Sequence, residues 1–313
     1  MVQKGNGWSD DFILEKDLNN HLKGFSFDEV KEDAIFYLPM CKYFYGDIGR
    51  FSNKLSCNSV TGVFGFAPNT PLHLGHLSVI LSHIKLGVNT LVFSANDYEA
   101  CFVRNTKSKD EITGNYNLSF ELSSILGNLY NIKSNCEIRS LNKDITKIFN
   151  EINNLITKKD IIKIFGEDIG DVKSKAMNWQ AAAYINQTML NEYVIGISGV
   201  DELIPMIWVD FIAKKMKMEN WGGFFIKQQI PSLKKGKKMS KSGMSDFNIK
   251  HKDNWDIVVD KLKLLLKKEE GANAMKEIFY LINEEEQKFS DQKFVDAFIG
   301  FTKKTNFFIF DNF

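Results

Sequence analysis

The sequence predicts an α/β fold, a doubly wound parallel sheet with a helical insert and a small C-terminal helical module. Three observations lead there. First, residues 60–66 form a short β-type run stopped by Ala67-Pro68-Asn69-Thr70-Pro71, and residues 90–95 form a second apolar strand. Between them Leu77, Ile80, Leu81 and Ile84 recur at i, i+3, i+4 and i+7, one buried helix face, with Gly87 placed to cap its end. Second, the unit repeats: residues 193–197 and 224–228 read as strands around a helix at 201–217. Third, residues 108–176 alternate charged and apolar positions at helical spacing, which makes them an insert between the two halves. Such crossovers are right-handed, and the ligand crevice of such a sheet lies at the carboxyl ends of its strands, where the halves meet.

The flanks read as helical. Phe12, Leu14, Leu18, Leu22 and Phe25 are spaced near a helical period, so residues 1–58 are expected to be a mostly helical extension. Residues 179–184 are expected to be helical as well. From about residue 247 to 313 the chain reads as amphipathic helices, with Phe307, Phe308, Phe310 and Phe313 packing back onto the body. The central domain then spans residues 59–246, with its insert at about 108–176. No internal repeat stands out, which argues against a solenoid.

Composition narrows the function classes. Lys+Arg 40 against Asp+Glu 39 excludes a polybasic nucleic-acid coat and an acidic tail, so a nucleic-acid partner needs a local basic patch. Only Arg50, Arg104 and Arg139 are arginine, a bias that reads as base composition of the genome. No apolar run approaches the roughly 20 residues of a membrane helix, and the first residues lack a signal-peptide core. A cytoplasmic protein without a membrane partner is expected. Cys41, Cys57, Cys101 and Cys136 lie far apart and form no C-x-x-C pair, so no structural zinc site or disulfide framework is expected.

Two segments carry chemistry. His73 and His76, three apart at the start of the first crossover helix, project from one face of its first turn, and Gly75 between them admits a bulky group. A helix N-terminus attracts phosphate, and two imidazoles there can donate to phosphate oxygens. Alone, the pair reads equally as capping or as half of a metal site. The second segment, residues 233–243, follows a strand and holds Gly236, Ser240, Ser242 and five lysines. It reads either as a solvated basic turn or as a loop that closes over a polyphosphate.

Together these segments resemble the signatures of the class I aminoacyl-tRNA synthetases. His73-Leu74-Gly75-His76 is similar to the first signature of that family, and Lys238-Met239-Ser240-Lys241-Ser242 is identical to the second. Phe66-Ala67-Pro68 stands at the family's strand-ending segment. The resemblance covers about residues 60–250 and implies a Rossmann-type nucleotide-binding domain. The layout is most like the tyrosyl and tryptophanyl branch, because of the helical lead-in, the compact length, Gly199-Val200-Asp201-Glu202 and the helix Trp179-Gln180-Ala181-Ala182-Ala183-Tyr184. A glutamyl-type placement competes. Gly65 and Ser198 stand where that branch carries arginines, and a buried carboxylate left without them costs about 2–5 kcal/mol. Against a tyrosine substrate, Val63 stands where a tyrosine is expected, and Tyr184 or Gln187 rather than a carboxylate lies near the substrate's far end.

What the resemblance implies is amino-acid activation by ATP, with Mg²⁺ arriving on the nucleotide, followed by acyl transfer to tRNA. His73, His76, Lys238 and Lys241 are implied as catalytic. Phe66, Ala67, Pro68, Gly75, Gly199, Asp201, Met239 and Ser240 are implied at ATP, with Asp201 on the ribose. Gly65, Asn96, Asp97, Trp179, Gln180, Tyr184 and Gln187 are implied at the amino acid, with Asn96 or Asp97 on its ammonium. No metal is expected to be caged by the protein itself. Lys158, Lys159 and Lys163 read either as an acceptor-stem contact or as a solvated face. A homodimer follows only from the branch resemblance. Three alternatives stay open: a paralogue acylating another acceptor, an idle RNA-binding or regulatory relative, and a small nucleotidylyltransferase.

Overall fold

The computed structural model describes residues 22, 25–34, 36–38, 40–106, 108–233, 237–238, 249–282 and 290–308. Its strands are β1 (Asp28–Glu29), β2 (Tyr43–Gly46), β3 (Thr61–Phe66), β4 (Thr90–Ala95), β5 (Lys133–Ile138), β6 (Val194–Gly199) and β7 (Trp221–Lys227). They form one sheet in the order β1-β2-β7-β6-β3-β4-β5, in which β3 to β7 run parallel and β1 and β2 run antiparallel. The strand order reverses at β3 and β6, the crevice position of a doubly wound sheet. The expected fold class is the observed one.

Helices cover both faces. On one face α2 (Leu74–Lys85) inserts Leu74, Leu77, Ile80 and Leu81 against Val60, Phe64 and Phe66 of the β3 segment. On the other, α6 (Gly170–Leu190) and α7 (Leu203–Lys215) bury Ala181, Ala183, Tyr184, Met206 and Val209 against Val63, Val92, Val194 and Phe224. The period-2 pleat therefore sorts β3 and β6 cleanly: Phe64, Phe66, Ile195 and Ile197 face α2, whereas Val63 and Gly196 face α6. Around this body lie α1 (Ile48–Ser56), α3 (Lys109–Tyr130), α4 (Lys143–Leu155) and α5 (Lys158–Phe165). The C-terminal helices are α8 (Trp255–Leu266), α9 (Glu269–Ile282) and α10 (Asp291–Thr305). Phe307 stacks on His251, and Phe308 packs between Trp255 and Phe298. Phe310 and Phe313, like Phe12, Leu14 and Leu18, lie outside the described residues. No helix among the described residues is long and apolar enough to cross a membrane.

Two expectations require correction. The lead-in at 1–58 is not mostly helical where described: β2 pairs with β7 (Phe44 opposite Phe225), and α1 begins only at Ile48. The stretch 108–176 is not purely an insert, because Lys133-Ser-Asn-Cys-Glu-Ile138 is the parallel edge strand β5 beside β4. An edge strand covered on one face needs few apolar residues, so its polar text passes for a helix surface. Strand β7 also begins three residues earlier than expected. Gly223 has φ +115° and lies against the Tyr45 carbonyl, where the β6–β7 register shifts in a bulge.

One glycine sets how closely α2 approaches the sheet. A Cβ on Gly62 would stand 2.5 Å from Cδ2 of His83, which is fully buried. The His83 Nδ1–H donates to the Val79 carbonyl (3.0 Å), while Nε2 lacks a hydrogen-bond partner among the described residues. Burial pushes the His83 pKa down to about 4, and burial with Lys252 nearby does the same to His251. Both histidines are neutral in the fold, so the unfolded chain binds more protons below its ordinary pKa of about 6.5. Stability is therefore complete above that pH and drains away as pH falls towards 4. At pH 5 each histidine should remove on the order of 2 kcal/mol. Urea unfolding at pH 7.5 and pH 5 should show this loss, and His83→Gln should flatten the dependence by about one proton.

Candidate active site

The site is assembled where β3 ends. Pro71 and the loop before it deliver the chain to α2, whose N-cap is His73, in extended backbone (φ −113°, ψ 173°). Its Nδ1 accepts from the Gly75 N–H (3.0 Å), and the His76 Nδ1 accepts from the His73 N–H (3.2 Å). Each ring thus satisfies one orphan amide of the helix end, in the manner of a capping box. An Nδ1 that accepts leaves the proton of a neutral imidazole on Nε2, so both rings are held as Nε2–H donors. The ring centroids lie 3.7 Å apart. The same turn is pinned by backbone pairing with the segment after the basic loop: Leu74 N–H donates to the Ile249 carbonyl (2.9 Å) and His251 N–H to that of Leu72 (2.6 Å).

Both histidines open onto a cleft at the carboxyl ends of the strands. Gly65, Phe66, Ala67, Gly75, Asn96, Gln180, Tyr184, Gly199, Asp201 and Lys238 also line it, so the structure brings most of the expected site residues together. Asp201 sits one turn beyond β6. A Cβ on Gly199 would stand 2.5 Å from its Oδ1, so glycine there lets the carboxylate fold back into the cleft. Both Asp201 oxygens are engaged: Oδ1 accepts from Gln229 Nε2 (2.7 Å), and Oδ2 is paired with Lys238 Nζ. Met239, Ser240 and Lys241 lie outside the described residues.

Other expected residues are committed elsewhere. Trp179 is absent from the lining and stacks on Phe149 (4.1 Å, 9°). Gln187 is buried outside the cleft, its Oε1 accepting from Asn191. Pro68 lies behind the cleft wall, its carbonyl accepting from Asn115. Asp97 is taken by Ser140, whose N–H and hydroxyl both donate to it. Asn96 caps the single π-turn at Glu99–Val103: its Oδ1 accepts from the Glu99 N–H, and its Nδ2 donates to the Ala176 carbonyl and to Glu99. Lys158 is largely exposed and paired with Asp168.

Five further charged side chains and Gln229 line the cleft, none of them among the expected site residues. Glu99 pairs with Arg104 (3.1 Å). Glu202 follows Asp201 at the cleft rim, where partial desolvation and that neighbouring charge raise its pKa. Lys227, Gln229, Arg104 and Arg139 complete the set. A signal for two of them was present. In a chain whose cations are almost all lysine, two of its three arginines meet at this cleft.

No family model matches this chain, and no curated protein matches it. Solved structures do. The tryptophanyl-tRNA synthetase of Aeropyrum pernix K1 superposes with a TM-score of 0.66 at 19% identity, over 80% of this chain and 73% of that one. The fold is that of the tryptophanyl- and tyrosyl-tRNA synthetases. The tryptophanyl-tRNA synthetase of Encephalitozoon cuniculi, bound to tryptophan, matches at 12% identity over 92% of this chain and 94% of that one, TM-score 0.66. The tyrosyl-tRNA synthetase of Aeropyrum pernix matches at 15% identity over 69% and 66%, TM-score 0.55. At such identities the likeness is one of fold.

The reciprocal cap generates a stability prediction. His73→Ala removes the acceptor for the Gly75 amide, and a lost N-cap costs about 1 kcal/mol. Chemical unfolding should register that loss, whereas His73→Asn, a strong N-cap residue, should restore most of it.

Proposed function

We propose that the chain joins an amino acid to ATP as an aminoacyl-adenylate and transfers the acyl group to the 3′ end of tRNA. The observation that carries this reading is the pair of Nε2–H imidazoles, fixed by their own cap, facing Lys238 across a cleft at the carboxyl edge of the sheet. In the reaction the substrate carboxylate attacks the α-phosphorus in line and the bond to pyrophosphate breaks. No covalent enzyme intermediate is needed, so rate comes from positioning and charge stabilisation. His73 and His76 donate to phosphate oxygens, and Gly75 leaves room for adenosine. Mg²⁺ is carried in by the triphosphate, in keeping with that ion's preference for phosphate and water ligands.

The Lys238–Asp201 pair gives the free enzyme a standby arrangement. Arrival of ATP exchanges partners: the ammonium moves to the phosphates, and the released carboxylate accepts from the ribose hydroxyls. With Asn96 and Asp97 already committed, Glu99, which lines the cleft beside Arg104, supplies the negative charge for the substrate ammonium. The tRNA step and a role for Lys158, Lys159 and Lys163 in holding the acceptor stem belong to the same reading, as does a homodimer.

ATP–pyrophosphate exchange over all amino acids, with and without bulk tRNA, tests the proposal. Exchange with one amino acid and acylation of tRNA are the expected results. Exchange without acylation would move the acceptor elsewhere, and no exchange under any condition would leave an idle relative. His76→Ala should lower the activation rate about 10²–10³-fold, the scale of deleting one preorganised donor. Lys241 should act mainly in the transition state, so Lys241→Ala should depress kcat far more than it raises the amino-acid KM. Lys234→Ala, upstream of the signature, should change little. Equal mild effects of the two lysine substitutions would reduce the loop to a solvated turn.

A further inference from the structure

The cleft has two halves, set by the pleat. His76 lies beside Phe64, on the α2 face of the sheet (ring centroids 5.8 Å apart). Gly65, Ser198 and Tyr184 belong to the opposite, α6 face. Into that second half projects Arg139, which follows β5 and is only 1% exposed. Its Nε donates to Ser94 Oγ (3.1 Å) and its Nη2 to the Ser94 carbonyl (3.1 Å). A Cβ built on Gly65 would meet that Nη2 at 2.8 Å, with the Tyr184 hydroxyl 4.0 Å from the same point. The guanidinium therefore occupies the space that a side chain at position 65 would fill.

This cation is buried without an ionic partner. Among the described residues no carboxylate lies within ion-pair distance of it, and Nη1 makes no hydrogen bond. Glu137 is linked to it by the hydroxyl of Ser94, which donates to Glu137 Oε1 (3.0 Å), and Glu99, Glu137 and Asp97 attract it from beyond ion-pair distance. Glu137 is also held by Asn142, while Glu99 is paired with Arg104 and Asp97 with Ser140. A second group lies in the same half: Ser198 Oγ is buried and has no hydrogen-bond partner among the described residues. A planar fork of donors and an orphan hydroxyl on one wall of a cleft are what a bound carboxylate completes. Buried charges of this kind persist where a partner arrives.

We propose that the amino acid taken by this site carries an acidic side chain, its carboxylate held by Arg139 and Ser198. The inference rests on the adenylate-forming reading, which fixes the direction of the substrate. The α-carboxylate must meet the α-phosphorus on the α2 side of β3, so the group that reaches the α6 half is the far end of the side chain. Glycine at position 65 and serine at 198 thus leave a carboxylate a cationic partner after all, supplied from β5.

Calorimetric binding of L-glutamate, L-aspartate, L-glutamine and L-asparagine, run beside exchange assays with all amino acids, provides the test. One acid should bind and support exchange, its amide being weaker by about 10²-fold or more, a comparison that needs no variant. Arg139→Gln should narrow or invert that preference, and Arg139→Lys should recover part of it. Gly65→Ala, which crowds Nη2, should weaken the acid selectively. Exchange with a neutral amino acid whose KM is unmoved by Arg139→Gln would overturn the proposal and leave the activation reading intact. Equal loss for every amino acid would assign Arg139 to the α-carboxylate and also overturn it. Arg139-dependent binding of an acid without any exchange would support the pocket and sink the catalytic reading instead.

Discussion

Each of two imidazoles accepts a backbone amide at the first turn of α2, and the geometry of the cleft depends on that exchange. By using Nδ1 for the cap, His73 and His76 fix both tautomers. The helix end that attracts an anion is thereby closed by groups that still present a donor to it. Pairing of residues 249–251 with residues 72–74 ties the far end of the basic loop to the same turn. Residues 249–251 and the helix end are therefore joined, and a shift in either reaches the other through backbone hydrogen bonds.

Glycines of β3 and β6 shape the rest of the cleft. Gly196 makes room for the Tyr184 ring and the Met206 methyl, Gly199 for the Asp201 carboxylate and Gly65 for the Arg139 guanidinium. Strands β3 and β6 would otherwise carry side chains at those points. Their removal turns the middle of a parallel sheet, ordinarily filled by Val and Ile, into a floor that polar groups from other elements enter. Charge in the cleft is mostly paired internally, Lys238 with Asp201 and Arg104 with Glu99, which keeps the empty site stable at the cost of an exchange when ligand arrives.

What was legible in the sequence was what recurs locally. The strands near residues 60, 90 and 194 are uninterrupted apolar runs, and α2 has a strict helical period, so their places followed from pattern alone. The histidine pair and the lysine loop were legible because their spacing is short. Strands β2 and β5 were not: β2 has only four residues, too few to show a period, and the edge strand β5 carries too few apolar residues to announce itself. Arg139 was hidden for another reason. It approaches Gly65 across two strands and more than seventy residues of chain, and nothing local marks it except the scarcity of arginine. Trp179 and Asp97 were misplaced by the opposite error, a local resemblance that long-range packing redirected to Phe149 and Ser140.

The antiparallel strand β2 has a bearing on how the chain can be divided. It covers β7 from Tyr43 to Gly46, and Phe44 and Phe51 close an aromatic cluster with Phe225. A fragment starting at the first strand of the nucleotide-binding half would keep every residue of the two signatures, yet would leave the hydrogen-bonding edge of β7 and that cluster facing water. Bare, apolar strand edges recruit other strands. Such a fragment would meet a second copy of itself before it met a nucleotide, so the segment that carries none of the chemistry is what keeps the chemistry in a single molecule.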